Sequence, residues 1–449
     1  MIELAESAVG AATAVGASDA EAYATEASER EVRVHGGEVE SLTAATRRGL
    51  GVRAWIGHRV GYAFGTDLAR EGVEEIAARA AEAARAADED EFAGPPSPSG
   101  EPAPSMELGD PSIATWAPAQ VAELALAVER AALASDPRVT GVEQAVYAGS
   151  SDRVAIASSA GIAGEFEASS CYAYTQALAE GEGGSVETGL GFDLARGPAA
   201  LDPDAVGREA AARATAMIGA GKPDSRSCRV VLDPTVAASF VGLIGGVLGA
   251  DAVQRGRSPF AERIGADVAG EALVLHDDGL DPEGPASSPF DGEGVVRGRT
   301  ALIEGGALRT YLFDTYTARR GGVSSTGSAG RAGYRGLPHV STSNLVVGTG
   351  ALGFEELLAE AGEGVFVTDV AGLHSGVNPV TGVFSVGASG RAIRGGELAE
   401  PVREFTIASD LVSMLGAVLA AGSEARWVPF GGSVSTPPLL IGEMTVAGA

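Results

Sequence analysis

Apolar positions recur along the chain with two periods, and each change of period marks an element boundary. Ile2, Ala5, Ala8, Val9 and Ala12 line one face of a first helix, ended by Gly16. Strand-like alternation follows at Glu31-Val32-Arg33-Val34-His35, with a Gly-Gly turn signal after it. Gly49–Trp55 and Val60–Phe64 predict a hairpin around Ile56-Gly57-His58. Thr66 is the expected cap of a second helix with Ile76, Ala77, Ala80 and Ala84 facing inward.

A helical period returns after Pro118, carried by Val121, Leu124, Ala125, Val128 and Ala132. Strands are predicted through Val139–Tyr147, Arg153–Ala157 and Gly164–Ala179, and Asp202-Pro203 opens another helix. Residues 117–222 thus repeat coarsely the plan of 1–93: helix, strands, helix. Beyond residue 227 come short apolar alternations among many glycines, with two predicted helices, Thr235–Leu248 and Asp410–Leu419. The expected fold class is α+β. An N-terminal α+β domain (1–93), a linker (94–116), a middle α+β domain (117–222) and a C-terminal, mostly antiparallel β domain with few helices (227–449) make up the chain. The linker call rests on Gly94-Pro95-Pro96-Ser97-Pro98-Ser99-Gly100.

Composition narrows the partners. The formal net charge of -28 argues against nucleic acid and against an anionic membrane surface. Met1–Gly16 lacks the pattern of a secretory leader, and Pro234–Ala250 is short and glycine-rich for a membrane span. Cys171 and Cys228 form no CxxC. A cytoplasmic location is expected.

Candidate chemistry is sparse. No two of His35, His58, His276, His339 and His374 are three or four residues apart, so no helical metal pair exists. His276-Asp277-Asp278 reads best as a strand running into an acidic turn, while His339 and His374 sit in glycine-rich loops. Gly348-Thr349-Gly350-Ala351-Leu352-Gly353 is a formal dinucleotide fingerprint between a strand and a short helix; a plain loop is the competing reading.

The segment Phe240–Asp251, followed by Arg255-Gly256-Arg257-Ser258-Pro259-Phe260, ends in a turn that resembles the one after the zinc helix of TldD-type proteases. Gly376-Val377-Asn378-Pro379-Val380-Thr381-Gly382, Phe384–Gly390, Glu397–Pro401, Phe405–Ala408, Gly432–Pro437 and Thr445–Gly448 resemble the sister family, TldE or PmbA, formerly described as a modulator of DNA gyrase. In the catalytic subunits an HExxxH lies on that helix. The resemblance places its positions on Val241, Gly242 and Gly246, none of which can bind zinc or act as a base. The expected C-terminal cysteine ligand is also missing from Pro429–Ser433.

The resemblance therefore implies a non-catalytic subunit with no cofactor of its own. Zinc is expected in a TldD-like partner, in a heterodimer that encloses an extended peptide substrate, unfolded or precursor. A homodimer could stand in when the chain is isolated. His374, Ser375, Asn378, Phe384 and Ser385 are the candidate peptide-cleft residues, with an exposed strand edge expected near Phe384. Two alternatives stand beside this reading. One is a stand-alone metal hydrolase with scattered ligands such as His276, His339 and His374; the other is a non-enzymatic protein-binding modulator.

Overall fold

The structure is a computed structural model describing residues 1–98, 100 and 102–449; Ser99 and Glu101, both in the expected linker, lie outside the described residues. The N-terminal half opens with α1 (Ile2–Ala14), β1 (Asp19–His35), β2 (Glu38–Ile56), β3 (Arg59–Gly65) and α2 (Arg70–Ala86). A short α3 (Ser112–Thr115) leads into α4 (Pro118–Ser135), β4 (Val139–Ser158), β5 (Ala163–Glu180), β6 (Val186–Ala195) and α5 (Pro203–Ala216). Each half of this region is a helix, three strands and a helix. The two are joined by fourteen β1–β4 pairs into one antiparallel sheet, in the order β3-β2-β1-β4-β5-β6.

One face of that sheet carries all four long helices. Ala20, Ala22 and Ala24 on β1 pack under α1 and α2, while Val32 and Val34, on the same face further along, pack under α4 and α5. The alanine-rich stripe of α2 lets it approach closely: a Cβ on Gly61 would lie 2.2 Å from the Ala80 carbonyl. Asp202 caps α5 through the Ala205 amide at 2.9 Å, and Pro203 takes the first helical position, as expected from the sequence. α2 starts at Arg70, and its cap position is Ala69, three residues after Thr66.

The C-terminal region runs β7 (Arg226–Leu232), α6 (Pro234–Val247), α7 (Ala250–Gln254), β8 (Leu275–Asp278), β9 (Arg299–Glu304) and β10 (Ala307–Leu308). It continues with α8 (Thr315–Gly321), β11 (Ala329–Gly330), β12 (His339–Val340), β13 (Asn344–Val347), α9 (Phe354–Ala361), β14 (Gly364–Ala371) and α10 (Leu373–Gly376). It ends with β15 (Val383–Arg394), β16 (Glu397–Asp410), α11 (Leu411–Gly416), β17 (Val418–Ala421), β18 (Arg426–Val428), β19 (Ser433–Thr436) and β20 (Leu439–Ala447). One sheet has the order β10-β9-β8-β13-β19-β18. The other, β16-β15-β14-β7-β20-β17, is barrel-like because β20 also pairs with β16. All neighbours are antiparallel except β13–β19 and β14–β7. The largest apolar core fills this region, with α6 contributing Phe240, Val241 and Ile244.

Two sequence readings give way here. The predicted helix Asp410–Leu419 shrinks to α11, because Val418 already pairs with Ile441. The dinucleotide fingerprint loses its context: β13 and β14, on either side of α9, belong to different sheets. A Cβ on Gly350 would lie 2.2 Å from the Ala421 carbonyl, so this glycine serves loop packing.

Candidate functional site

α6 carries the positions of interest. Asp233 caps it through the Thr235 amide at 2.9 Å, and Pro234 follows at the first helical position. At its far end the Ser258 hydroxyl donates to the Val247 carbonyl at 2.6 Å and accepts from the Phe260 amide at 3.1 Å. That satisfies an orphan carbonyl of the last turn. Gly256 has φ +67, and Phe260 is fully buried. The glycine, serine and aromatic residue of this turn thus each have a structural job: they anchor the end of α6.

Along the helix after Pro234, Thr235, Ser239, Gly242, Leu243 and Gly246 are the positions that are not buried. Their spacing of 4, 3, 1 and 3 residues makes one open stripe. Gly242 and Gly246 stand on it. Val241 does not; it is 3% exposed and belongs to the core. The stripe is bordered by the Gly431-Gly432 turn, where both residues have positive φ. A Cβ on Gly242 would meet the Gly431 carbonyl at 2.8 Å. Beside this turn, Phe430 packs edge-on against Phe192 and Tyr174, at centroid distances of 5.1 and 6.3 Å. The aromatic run continues to Tyr172. It thereby links the surroundings of α6 to the helix-free face of the large sheet. An open hollow of about 360 Å³ on that sheet is lined by Glu29, Glu31, Arg47, Ser150, Ser170 and Tyr172, among others.

The residues do not fit a hydrolytic zinc. Such a site needs three protein ligands converging on an open position. Val241, Gly242 and Gly246 offer no donor, and among the described residues no group of three or more His, Cys, Asp or Glu side chains is arranged to hold a metal. His276 is buried on β8 with Nδ1 3.2 Å from the Arg299 guanidinium; burial, then Arg299, pushes its pKa down. His339 and His374 are exposed, on β12 and α10. Cys171 lies in the core, where burial raises its thiol pKa to about 12, and neither cysteine is in a disulfide.

The cleft candidates divide. His374, Ser375, Asn378 and Ser385 are exposed around one end of the barrel-like sheet. Phe384 is a correction: it is 1% exposed and packs its ring 5.0 Å from that of Phe240. Alternation on β15 turns it inward. The expected free edge is closed as well. Beyond Ala371, where β14 ends its pairing, Val377 bridges to Phe384 and the Asn378 amide donates to the Val383 carbonyl at 2.8 Å. The Asn378 side chain accepts from the Val380 and Thr381 amides, which builds the turn.

A cluster the sequence reading missed joins the sheet to the C-terminal region. Arg53 pairs with Glu21 at 2.5 Å and with Glu293 at 3.0 Å, Arg331 pairs with Glu21, and all four side chains are buried. Glu293 also accepts from the Thr315 amide at 2.8 Å. The available signal was Glu21 and Arg53 inside otherwise apolar strand segments.

Three family descriptions match the chain in order. PmbA/TldA metallopeptidase domain 1 matches residues 20–84, the central domain 111–218 and the C-terminal domain 225–448. The chain is 28% identical to the metalloprotease PmbA of Escherichia coli O157:H7, over 92% of its own length and 88% of the relative's. It is 34% identical to a metalloprotease of Archaeoglobus fulgidus over 52% of this chain and 56% of that one. Among solved structures, a Thermotoga maritima protein named for a suggested modulation of DNA gyrase superposes with a TM-score of 0.90 at 25% identity, over 99% of both chains. TldE of Thermococcus kodakarensis shares the fold, with a TM-score of 0.91 at 21% identity over 99% of this chain and 100% of that one.

Proposed function

The chain belongs to the PmbA/TldD metallopeptidase family, and from that premise we propose that it is the TldE-type subunit of a two-chain zinc protease. It carries no hydrolytic centre of its own. It completes the cleft in which a TldD-like partner, holding the zinc, cuts extended peptides. The observation that carries the proposal is α6. The helix, its cap and its terminal turn are intact, yet the aligned ligand positions are a core valine and two glycines on an open stripe. Keeping the scaffold while losing every donor is what a subunit derived from a catalytic one would do. The turn at Pro429–Ser433 beside the stripe lacks a thiol for the same position-by-position reason.

The exposed His374, Ser375 and Ser385 remain the proposed peptide-facing residues; Asn378 shapes their turn. The test is metal analysis of the purified chain after zinc loading and desalting. The expected result is far less than one zinc per chain. Stoichiometric zinc would show that ligands lie elsewhere, and would favour a stand-alone hydrolase.

A further inference from the structure

A concavity separate from the sheet hollow lies at the far end of α6 from its terminal turn. It holds about 370 Å³ between the start of α6, the start of α9 and the loop that joins β17 to β18. Phe354 of α9 and Phe366 of β14 form an aromatic wall, edge to face with ring centroids 5.0 Å apart. Pro234 and Pro438 add apolar surface. Small-molecule sites commonly have this size, with mainly apolar walls and a few polar groups.

The walls are set before any ligand arrives. The Ser423 amide donates to the Leu352 carbonyl at 2.8 Å, the Gly350 amide to the Gly422 carbonyl at 2.8 Å, and the Gly422 amide to the Pro438 carbonyl at 2.9 Å. The glycine loop 348–353, which has the form of a dinucleotide fingerprint, thus fastens one wall and delivers Phe354 to the other. A phosphate has no place there. The Gly353 amide at the start of α9 already donates to the Glu356 carboxylate at 2.8 Å.

Charge sets the class of ligand. Asp233 and Glu424 line the cavity together with Arg426. The Arg426 guanidinium is engaged elsewhere: it donates to Glu209 at 2.6 Å and to the Phe192 carbonyl at 3.0 Å, and lies 4.0 Å over the Phe192 ring. Asp233 is matched by Arg213 at 3.1 Å. Glu424 is exposed, and among the described residues no partner meets its carboxylate. An aromatic wall beside one unmatched carboxylate attracts a cation and repels an anion.

We propose that this cavity binds a small organic ammonium ion, with an apolar or aromatic body against Phe354 and Phe366 and its charge toward Glu424. By helical rise the site is roughly 12 Å along α6 from Gly242, so it is distinct from the open stripe. It needs neither zinc nor a partner chain, and its failure leaves the proposed role untouched.

The full chain alone is titrated with phenethylamine, benzyl alcohol and phenylacetate, with binding read by saturation-transfer NMR. Phenethylamine should bind about tenfold more tightly than the neutral alcohol, and phenylacetate more weakly than either. Glu424→Gln, on the exposed loop, should lower the amine affinity about threefold with an unchanged thermal midpoint. Phe354→Ala should abolish binding of amine and alcohol alike, whereas Phe354→Leu, which keeps an apolar side chain in the α9 contact, should retain the alcohol and weaken the amine. Glu29→Gln, in the sheet hollow, should change nothing. No detectable binding of the amine, equal binding of phenylacetate, or an amine affinity that Glu424→Gln leaves unchanged or Glu29→Gln lowers as much would overturn the proposal.

Discussion

Gly242 and Gly246, four residues apart on one helix, meet opposite surroundings. A methyl group on Gly242 would press on a backbone carbonyl at 2.8 Å, while one on Gly246 would meet nothing within 4 Å. Gly242→Ala should therefore destabilise the fold by about 1–3 kcal/mol through overpacking. Gly246→Ala should stabilise it by roughly 0.5 kcal/mol, through helix propensity near the end of the helix. Urea midpoints of the two variants check the contrast; equal shifts would contradict it. Asp277 is a second residue with a definite expectation. Burial raises its pKa to about 6, against the hydrogen bonds from the Ser343 amide at 2.7 Å and hydroxyl at 2.8 Å. A carboxyl with a raised folded pKa adds stability below its unfolded pKa and loses it as pH rises through the folded one. The stability of wild type relative to Asp277→Asn should therefore fall between pH 4 and pH 7, by about 3 kcal/mol at most. A difference that stays flat over that range would show that Asp277 titrates normally.

At the scale of elements, both carboxylate oxygens of buried Glu129 accept from the Gly36 and Gly37 amides at 2.8 Å, and this clasp on the β1–β2 turn predicts a local effect. Glu129→Ala leaves two turn amides without their acceptor and should cost about 1–3 kcal/mol. Hydrogen exchange should quicken at Gly36 and Gly37; unchanged exchange there would mean the clasp is dispensable. Helices were the most legible elements. α4, α5 and α6 begin at or within a residue of their expected starts, because each has a proline at its first helical position and the last two an aspartate cap before it. Among the long strands β5 was legible almost whole, as Gly164–Ala179, whereas β1, β2 and β4 were legible only at their ends. The middle of β1 is mostly polar on both faces, and that of β2 mixes Leu42, Ala44 and Ala45 with polar residues, so both lack the alternation that marks a half-buried strand. Phe384 was misread for a related reason. Its alternation was visible, but which phase faced the core depends on a helix more than a hundred residues earlier.

At the scale of the molecule, the C-terminal region meets the large sheet at several places. Two of them are the buried set of Glu21, Arg53, Glu293 and Arg331 and the aromatic contact of Phe430 with Tyr174 and Phe192. Between the two contacts the sheet surface stays open, with Glu29, Glu31 and Ser150 at the hollow. Neither contact was legible from spacing, because each unites residues more than two hundred positions apart. The sequence reading named Val241, Gly242 and Gly246 on α6 by residue type but did not place them. The structure puts Gly242 and Gly246 on an open stripe and Val241 in the core. The most direct measurement is cleavage of an unfolded peptide by this chain, by its TldD-like counterpart, and by an equimolar mixture. The account predicts no cleavage by this chain alone and faster cleavage by the mixture than by the counterpart. Cleavage by this chain alone, abolished by a chelator, would contradict it.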